Sequence, residues 1–325
     1  MKALITGASG FIGSHLAEEL SKRGYEVVCL VRKTSDLKWL SGLDIKLING
    51  DCSDKDSLNN CVKGYDYIFH LAGLTKTTSM EDFYSVNTKG TENLIEAVVK
   101  NNSEIKRFVY LSSLSAFGPK VNTNLPNEKD NPLPVSDYGK SKLRGEEAVS
   151  GYSDRIPISI LRPSAVYGPR DKEFCLFFKL IKKTGIMPYW GDGQTSLVYV
   201  DDLINAIILS AEKESAAGKT YFISDGMVYS NNEIINEIAS ALNVKVFMIK
   251  LPKPILVPIG FLSDGISKIT GKSTMVNSDK IKELMCTDWI CDITKAKDDL
   301  CFQPRVGIKK GIKWTADWYK IHRWL

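Results

Sequence analysis

The chain has 325 residues, 43% hydrophobic and 25% charged, which suits a globular protein with a sizeable core and excludes disorder. Its formal charge of +5, from 43 basic and 38 acidic side chains, is spread without a long basic run or an interleaved aromatic stripe, which argues against a nucleic-acid partner. Seven cysteines with no Cys-x-x-Cys pair, beside three histidines, read as free thiols of a reducing, cytoplasmic setting with no metal site.

Residues 1–5 form an apolar run too short for a signal segment and read as a first strand. Short β-branched runs follow at 27–31, 45–48, 67–71, 108–111 and 158–161, with helix-length segments between them. In those segments Ile12, Leu16 and Leu20, and then Val86, Leu94 and Val98, recur at helical spacing. Alternation of this kind predicts an α/β fold, a Rossmann-type doubly wound parallel sheet with a smaller mixed α/β C-terminal substrate domain. The dinucleotide-binding domain is expected over 1–166. After Pro163 the regularity fades, and Pro188, Gly191, Gly193, Pro252, Pro254, Pro258 and Gly265 break 167–325, mainly substrate-binding, into shorter pieces. A helix-then-strand pattern at about 197–225 is expected to rejoin the first sheet. The most apolar stretch, 254–262, is nine residues, where a membrane span needs about 20, so no span is expected. It reads as pocket wall or core in preference to a membrane-surface segment.

The first strand ends in Thr6-Gly7-Ala8-Ser9-Gly10-Phe11-Ile12-Gly13 and a helix begins there. Gly7, Gly10 and Gly13 allow a tight turn and close backbone approach, and the helix N-terminus offers unpaired N–H groups to a pyrophosphate, with Ser9, Phe11 and Ile12 in the same loop. Past the second strand, Arg32 and Lys33 suit a 2′-phosphate, so NADP(H) is expected; NAD(H) is the alternative if Asp36 serves the ribose. Asp51, followed by Cys52, is placed to meet the adenine edge, although a capping acid would look the same.

Tyr138 and Lys142 lie four apart at the start of a helical pattern and so share a face. A neighbouring ammonium is expected to lower the phenol pKa and make proton exchange reasonable near neutral pH. Ser113, at the end of the fifth strand and 25 residues earlier, is placed to hold a reacting oxygen, with Ser112 as the alternative. Together these imply hydride transfer between a nicotinamide and a carbonyl or secondary alcohol.

With His70-Leu71-Ala72-Gly73, Val86-Asn87-Thr88-Lys89-Gly90-Thr91, Leu111-Ser112-Ser113 and Leu161-Arg162-Pro163-Ser164-Ala165-Val166-Tyr167-Gly168-Pro169 added, the chain resembles an extended short-chain dehydrogenase/reductase of the epimerase/dehydratase group over nearly its whole length. Trp289, Asp292, Lys295, Ala296, Pro304 and Trp318 resemble that group's closing part. The resemblance implies that Leu71, Ala72, Gly73 and Leu111 border the cofactor, that Asn87 supports the site, and that Pro163 and Val166 meet the nicotinamide end. It also implies a homodimer through helices near 83–99 and 138–150. Ser113-Leu114-Ser115 lacks the acids of the group's dehydratases, and 193–201 lacks the arginine with which many nucleotide-sugar epimerases hold a diphosphate. The nearest branches are then similar to 3β-hydroxysteroid dehydrogenases and dihydroflavonol reductases, with apolar small-molecule substrates. Nucleotide-sugar epimerisation with tightly bound NAD, and a non-catalytic NAD(P)-binding sensor, are the alternatives. The substrate pocket is expected among loops near 74–78, 117–126 and 167–190.

Overall fold

A computed structural model describes residues 1–120, 124–270, 274 and 277–325; residues 121–123 of the expected pocket loop at 117–126 therefore lie outside the described residues. The first part runs β1 (Lys2–Thr6), α1 (Phe11–Lys22), β2 (Glu26–Val31), β3 (Lys46–Asn49), α2 (Lys55–Leu58), β4 (Tyr67–His70), α3 (Met80–Phe83), α4 (Gly90–Asn101), β5 (Arg107–Leu111), α5 (Leu114–Phe117), α6 (Asp137–Ser150) and β6 (Ile158–Pro163). The remainder runs β7 (Ala165–Tyr167), α7 (Phe174–Thr184), β8 (Ile186–Tyr189), β9 (Gln194–Thr195), β10 (Leu197–Tyr199), α8 (Val200–Glu212), β11 (Lys219–Ile223), β12 (Tyr229–Ser230), α9 (Asn231–Leu242), β13 (Phe247–Lys250), α10 (Leu256–Thr270), α11 (Ser278–Met285), α12 (Thr294–Leu300) and α13 (Ile308–Ile321).

Seven parallel strands make one sheet in the order β3-β2-β1-β4-β5-β6-β11. β5 and β6 are buried along their whole length, which explains why their sequences are near-continuous apolar runs and not alternating ones. The expected return of the chain to this sheet is β11, whose Lys219–Ile223 pair with residues 159–163 of β6. Leu16, Leu20, Leu203 and Ile207 form the core on one face of the sheet, and Leu94, Val98, Val149 and Phe108 the core on the other. The first core continues unbroken into Phe178, Ile235, Ile312 and Tyr319, so α7, α9 and α13 are seated on the same apolar mass as the sheet. Strand order reverses between β1 and β4, and a crevice at their carboxyl ends is where such sheets bind ligands.

Two local expectations are corrected. The regular helix expected over 83–99 is interrupted by a π-helical segment, Tyr84–Lys89, at its start. Asn87 sits in that segment, and the wider turn lets its amide reach the loop after β4 and α6 at once. The apolar stretch at 254–262 is for the most part not core: Leu256 is buried, but the stretch opens α10, on which Phe261 and Leu262 are 70% and 68% exposed.

Candidate active site

The turn from β1 into α1 is tight because nothing larger than glycine fits. Gly7 has a φ of +74°, and a Cβ added there would lie 2.6 Å from the Ala72 nitrogen. A Cβ on Gly13 would lie 2.2 Å from the Gly7 carbonyl oxygen. Gly10 caps α1 without a side-chain hydrogen bond, so the first-turn N–H groups and the positive end of the helix dipole are available to an anion. A glycine cradle and an uncapped helix N-terminus, at the strand-order reversal, fit the pyrophosphate of a dinucleotide.

Behind this turn runs a buried chain of hydrogen bonds. Ala72 N–H donates to Thr6 Oγ1 (3.3 Å), the Thr6 hydroxyl to His70 Nδ1 (2.7 Å), His70 Nε2–H to Thr91 Oγ1 (2.9 Å), and the Thr91 hydroxyl to the Asn87 carbonyl (2.7 Å). Because Thr91 donates to a carbonyl, it accepts from His70, which assigns the Nε2–H tautomer. Burial, reinforced by the charge of Lys142, pushes the His70 pKa down to about 3 and keeps the imidazole neutral. The Asn87 amide is saturated too: Nδ2 donates to the Leu74 carbonyl and to Ser141 Oγ, both at 3.0 Å, and Oδ1 accepts from Leu74 N–H at 2.7 Å. Asn87 thereby ties the Gly73–Leu74 backbone to α6.

Helix α6 carries Tyr138, Lys142 and Glu146 on one face. Ser136 caps it, accepting from Gly139 N–H and donating to Glu283 Oε1, while Asp279 accepts from the N–H groups of Asp137 and Tyr138 (2.7 and 3.0 Å). The α11 segment thus grips the turn that presents Tyr138. Lys142 Nζ donates to the Leu111 carbonyl (2.8 Å) and lies 4.3 Å from the Tyr110 ring centre. Burial pushes its pKa down to about 7, against the pull of Glu146. The expected lowering of the Tyr138 phenol is not what the structure shows. Burial pushes it up to about 12, outweighing the lowering influence of the nearby Ser113 hydroxyl.

The structure separates the two serines. Ser112 is buried and donates to Glu146 Oε1 at 2.5 Å. Glu146 is in turn held by Arg162, with Nε to Oε1 at 3.0 Å and Nη2 to Oε2 at 2.6 Å, and the guanidinium lies 5.6 Å from the ring centres of both Phe117 and Phe222. Ser113 accepts from Ser115 N–H (3.1 Å) as the cap of α5 and is the serine that meets Tyr138. Glu146, Thr6, Thr91, Ser141, Asp279 and Glu283 were not expected as site residues. Glu146 alone had an accessible signal, at the i+4 position after Lys142 on the same helix face.

At the far end of the crevice Arg32 and Lys33 are exposed just beyond β2, and the exposed Asp36 accepts from Lys38 N–H through one carboxylate oxygen (3.1 Å). Asp51 accepts from Ser53 N–H (2.9 Å) and Ser53 Oγ (2.7 Å), so the capping geometry is present. Against partial burial, those bonds and the charge of Arg32 hold its carboxyl below the ordinary range. The Cys52 thiol is buried and pushed up to about 12, and its carbonyl accepts from Asn93 Nδ2 (3.0 Å). Pro163 ends β6, and Val166 pairs with Val198 in the short β7–β10 ladder beyond it.

Residues 3–224 match the family model described as NAD dependent epimerase/dehydratase family. Among curated proteins the chain is 29% identical to the ceramide reductase of Caulobacter vibrioides, over 99% of this chain and 95% of the relative. It is 28% identical to the N-acetyl-alpha-D-glucosaminyl-diphospho-ditrans,octacis-undecaprenol 4-epimerase of Escherichia coli O157:H7, over 98% and 95%. Among solved structures it superposes on the UDP-glucuronic acid 4-epimerase from Bacillus cereus, in complex with UDP-glucuronic acid and NAD, with a TM-score of 0.79, 26% identity and coverage of 99% and 100%.

Proposed function

The chain belongs to the NAD dependent epimerase/dehydratase family and is an enzyme of the extended short-chain dehydrogenase/reductase type, and from that premise we propose that it reversibly reduces a ketone to a secondary alcohol on an apolar, lipid-like substrate. The observation that carries this reading is the anchoring of Lys142 to the Leu111 carbonyl at the carboxyl end of the sheet, on the helix face that also presents Tyr138, beside the glycine cradle. The Gly7–Gly13 backbone holds the pyrophosphate, and the Leu71–Gly73 strand end and the Pro163–Val166 segment flank the nicotinamide. When bound, the nicotinamide supplies or takes up the hydride. Ser113 Oγ orients the substrate oxygen by a hydrogen bond. Tyr138, a phenol at neutral pH, gives its proton to that oxygen as the carbonyl carbon gains hydride, so that one hydride and one proton make the alcohol. Lys142 is fixed in the site floor by the Leu111 carbonyl, where burial brings its pKa to about 7.

Three features support an apolar substrate. Ser113-Leu114-Ser115 carries no acid to eliminate water, the stretch before Tyr199 carries no arginine for a diphosphate, and two relatives are named for ceramide and for an undecaprenol-linked sugar. Epimerisation is the second reading, favoured by the relatives and neighbours named as 4-epimerases. The family is NAD-dependent; within it we place NADP(H) first, on Arg32 and Lys33. We also assign a second copy of the chain to the outward side of 83–99 and 138–150, an assignment that a monomer in light scattering would remove.

The test is a balance of cofactor. Long-chain ketones offered with reduced cofactor should each consume one equivalent per alcohol formed. Interconversion of epimeric sugars on lipid or nucleotide carriers, with cofactor far below substrate and none consumed, would replace reduction by epimerisation.

A further inference from the structure

Helix α10 is amphipathic in the reverse sense. Some of its polar and small residues face the protein: Leu256 is buried, a Cβ on Gly260 would lie 2.4 Å from Ile281, Ser263 and Ser267 hydrogen-bond Thr274, and Asp264 accepts from Ser278 N–H. Its apolar side chains face outward, with Phe261 at 70%, Leu262 at 68%, Ile266 at 55% and Ile269 at 88% exposure. A helix that packs on a globular core does the opposite, and a continuous outward apolar stripe marks a surface that an apolar phase covers. Further exposed apolar residues precede the stripe in the chain. Phe247 and Ile249 lie on one face of β13, exposed, and Ile186, the register partner of Phe247 on β8, is exposed beside them.

The charges around the stripe say what covers it. Residues 243–270 hold four lysines and one aspartate; Asp264 is turned inward to Ser278, Lys250 pairs with Asp192, Lys253 donates to the Met285 carbonyl, and Lys245 is exposed. Helix α7, which leads into β8, exposes Lys179, Lys182 and Lys183 beside Leu176 and Phe177, with no acid among its eleven residues. A second copy meeting this face across a two-fold axis would set the exposed Lys245 and the three lysines of α7 against their own copies, the nearby carboxylate of Asp192 being already paired with Lys250. A sheet of anionic headgroups over acyl chains answers both the lysines and the apolar stripe. Among the described residues no helix is long and apolar enough to cross a membrane.

We propose that the outward face of α10, together with the exposed Phe247 and Ile249 of β13, docks the protein in the plane of an anionic phospholipid bilayer. The inference rests on this surface alone and stands whether the catalytic centre reduces or epimerises. It is tested by flotation of the full chain with vesicles of phosphatidylcholine containing phosphatidylglycerol, against phosphatidylcholine alone. The chain should float with the anionic vesicles, less so in high salt, and Phe261→Ser combined with Leu262→Ser should weaken that binding roughly tenfold or more. The double variant should keep the thermal midpoint and the cofactor affinity of the parent, which separates lost docking from lost folding. Failure of the parent chain to bind anionic vesicles, or binding indifferent to the double substitution, would overturn the proposal. So would light scattering in which the substitutions convert a dimer to a monomer, which would hand the face to a second copy.

Discussion

Ser112 and Ser113 are neighbours in the chain with different employment. Ser112 gives its hydroxyl to a buried carboxylate, whereas Ser113 meets the Tyr138 phenol. Ser113→Ala should lower kcat/KM of the carbonyl reaction about tenfold or more with little change in unfolding midpoint, because it removes a contact made to the reacting oxygen. Ser112→Ala should reverse the pattern and cost about 1–3 kcal/mol of stability, since Glu146 loses a buried donor. Steady-state kinetics with urea unfolding of both variants separates them. At the other end of the crevice, Arg32→Ala should raise the Kd for NADPH about tenfold and leave NADH nearly unchanged, as read by fluorescence titration. Tight NAD binding that ignores the substitution would return the ribose to another partner. The sequence made Tyr138, Lys142 and the glycine turn legible because their chemistry depends on short spacing. It left Ser112 and Ser113 open, since what divides them is Glu146, 34 residues away and reached only through the fold.

Between elements, two buried devices fix the site. Glu146 on α6 and Arg162 on β6 form a two-pronged ion pair inside the protein, with side chains 5% and 8% exposed. Breaking it leaves a charge uncompensated, so Glu146→Ala should destabilise by about 3–5 kcal/mol in urea unfolding, and Glu146→Ala with Arg162→Leu by less than the sum of the single changes. His70 joins β1, β4 and α4, and is neutral in the folded chain. Its folded pKa of about 3 lies below its ordinary 6.5, so the unfolded chain takes up a proton first as pH falls. Stability from this residue is therefore fully present above about pH 6.5 and drains away toward pH 3. His15, pushed down to about 4 by burial and then by Arg170, acts in the same direction. Asp171 opposes them: burial raises its pKa to about 7, so its contribution is full below the ordinary carboxylate range and is lost as pH rises to about 7. The comparison to make is His70→Gln with the parent, by chemical denaturation at a series of pH values. The variant should lose the part of the acid slope that His70 carries, on the order of 5 kcal/mol at most. Helix and strand positions were legible here from periodicity. The π-helical segment was not, because one extra residue in a turn leaves the apolar spacing of Val86, Leu94 and Val98 intact while redirecting Asn87.

At the scale of the molecule, the carboxyl-terminal lobe is coupled to the catalytic turn. Asp279 and Glu283 of α11 hold the first turn of α6, and α13 closes the core that starts under β1. The parallel sheet could be read from six apolar runs because parallel strands buried on both faces leave a strong pattern. The lobe could not, since its elements are short, its glycines and prolines break periodicity, and α10 inverts the inside-out rule that such reading relies on. Hydride transfer at the Tyr138 centre is tested most directly by following deuterium from reduced nicotinamide, labelled at the carbon that delivers hydride, into the product of a long-chain ketone. The label should appear at the carbinol carbon, one per cofactor oxidised, and Tyr138→Phe should slow its transfer by about 10²–10⁴-fold while binding cofactor as the parent does. Product without label, or transfer undiminished in Tyr138→Phe, would contradict it.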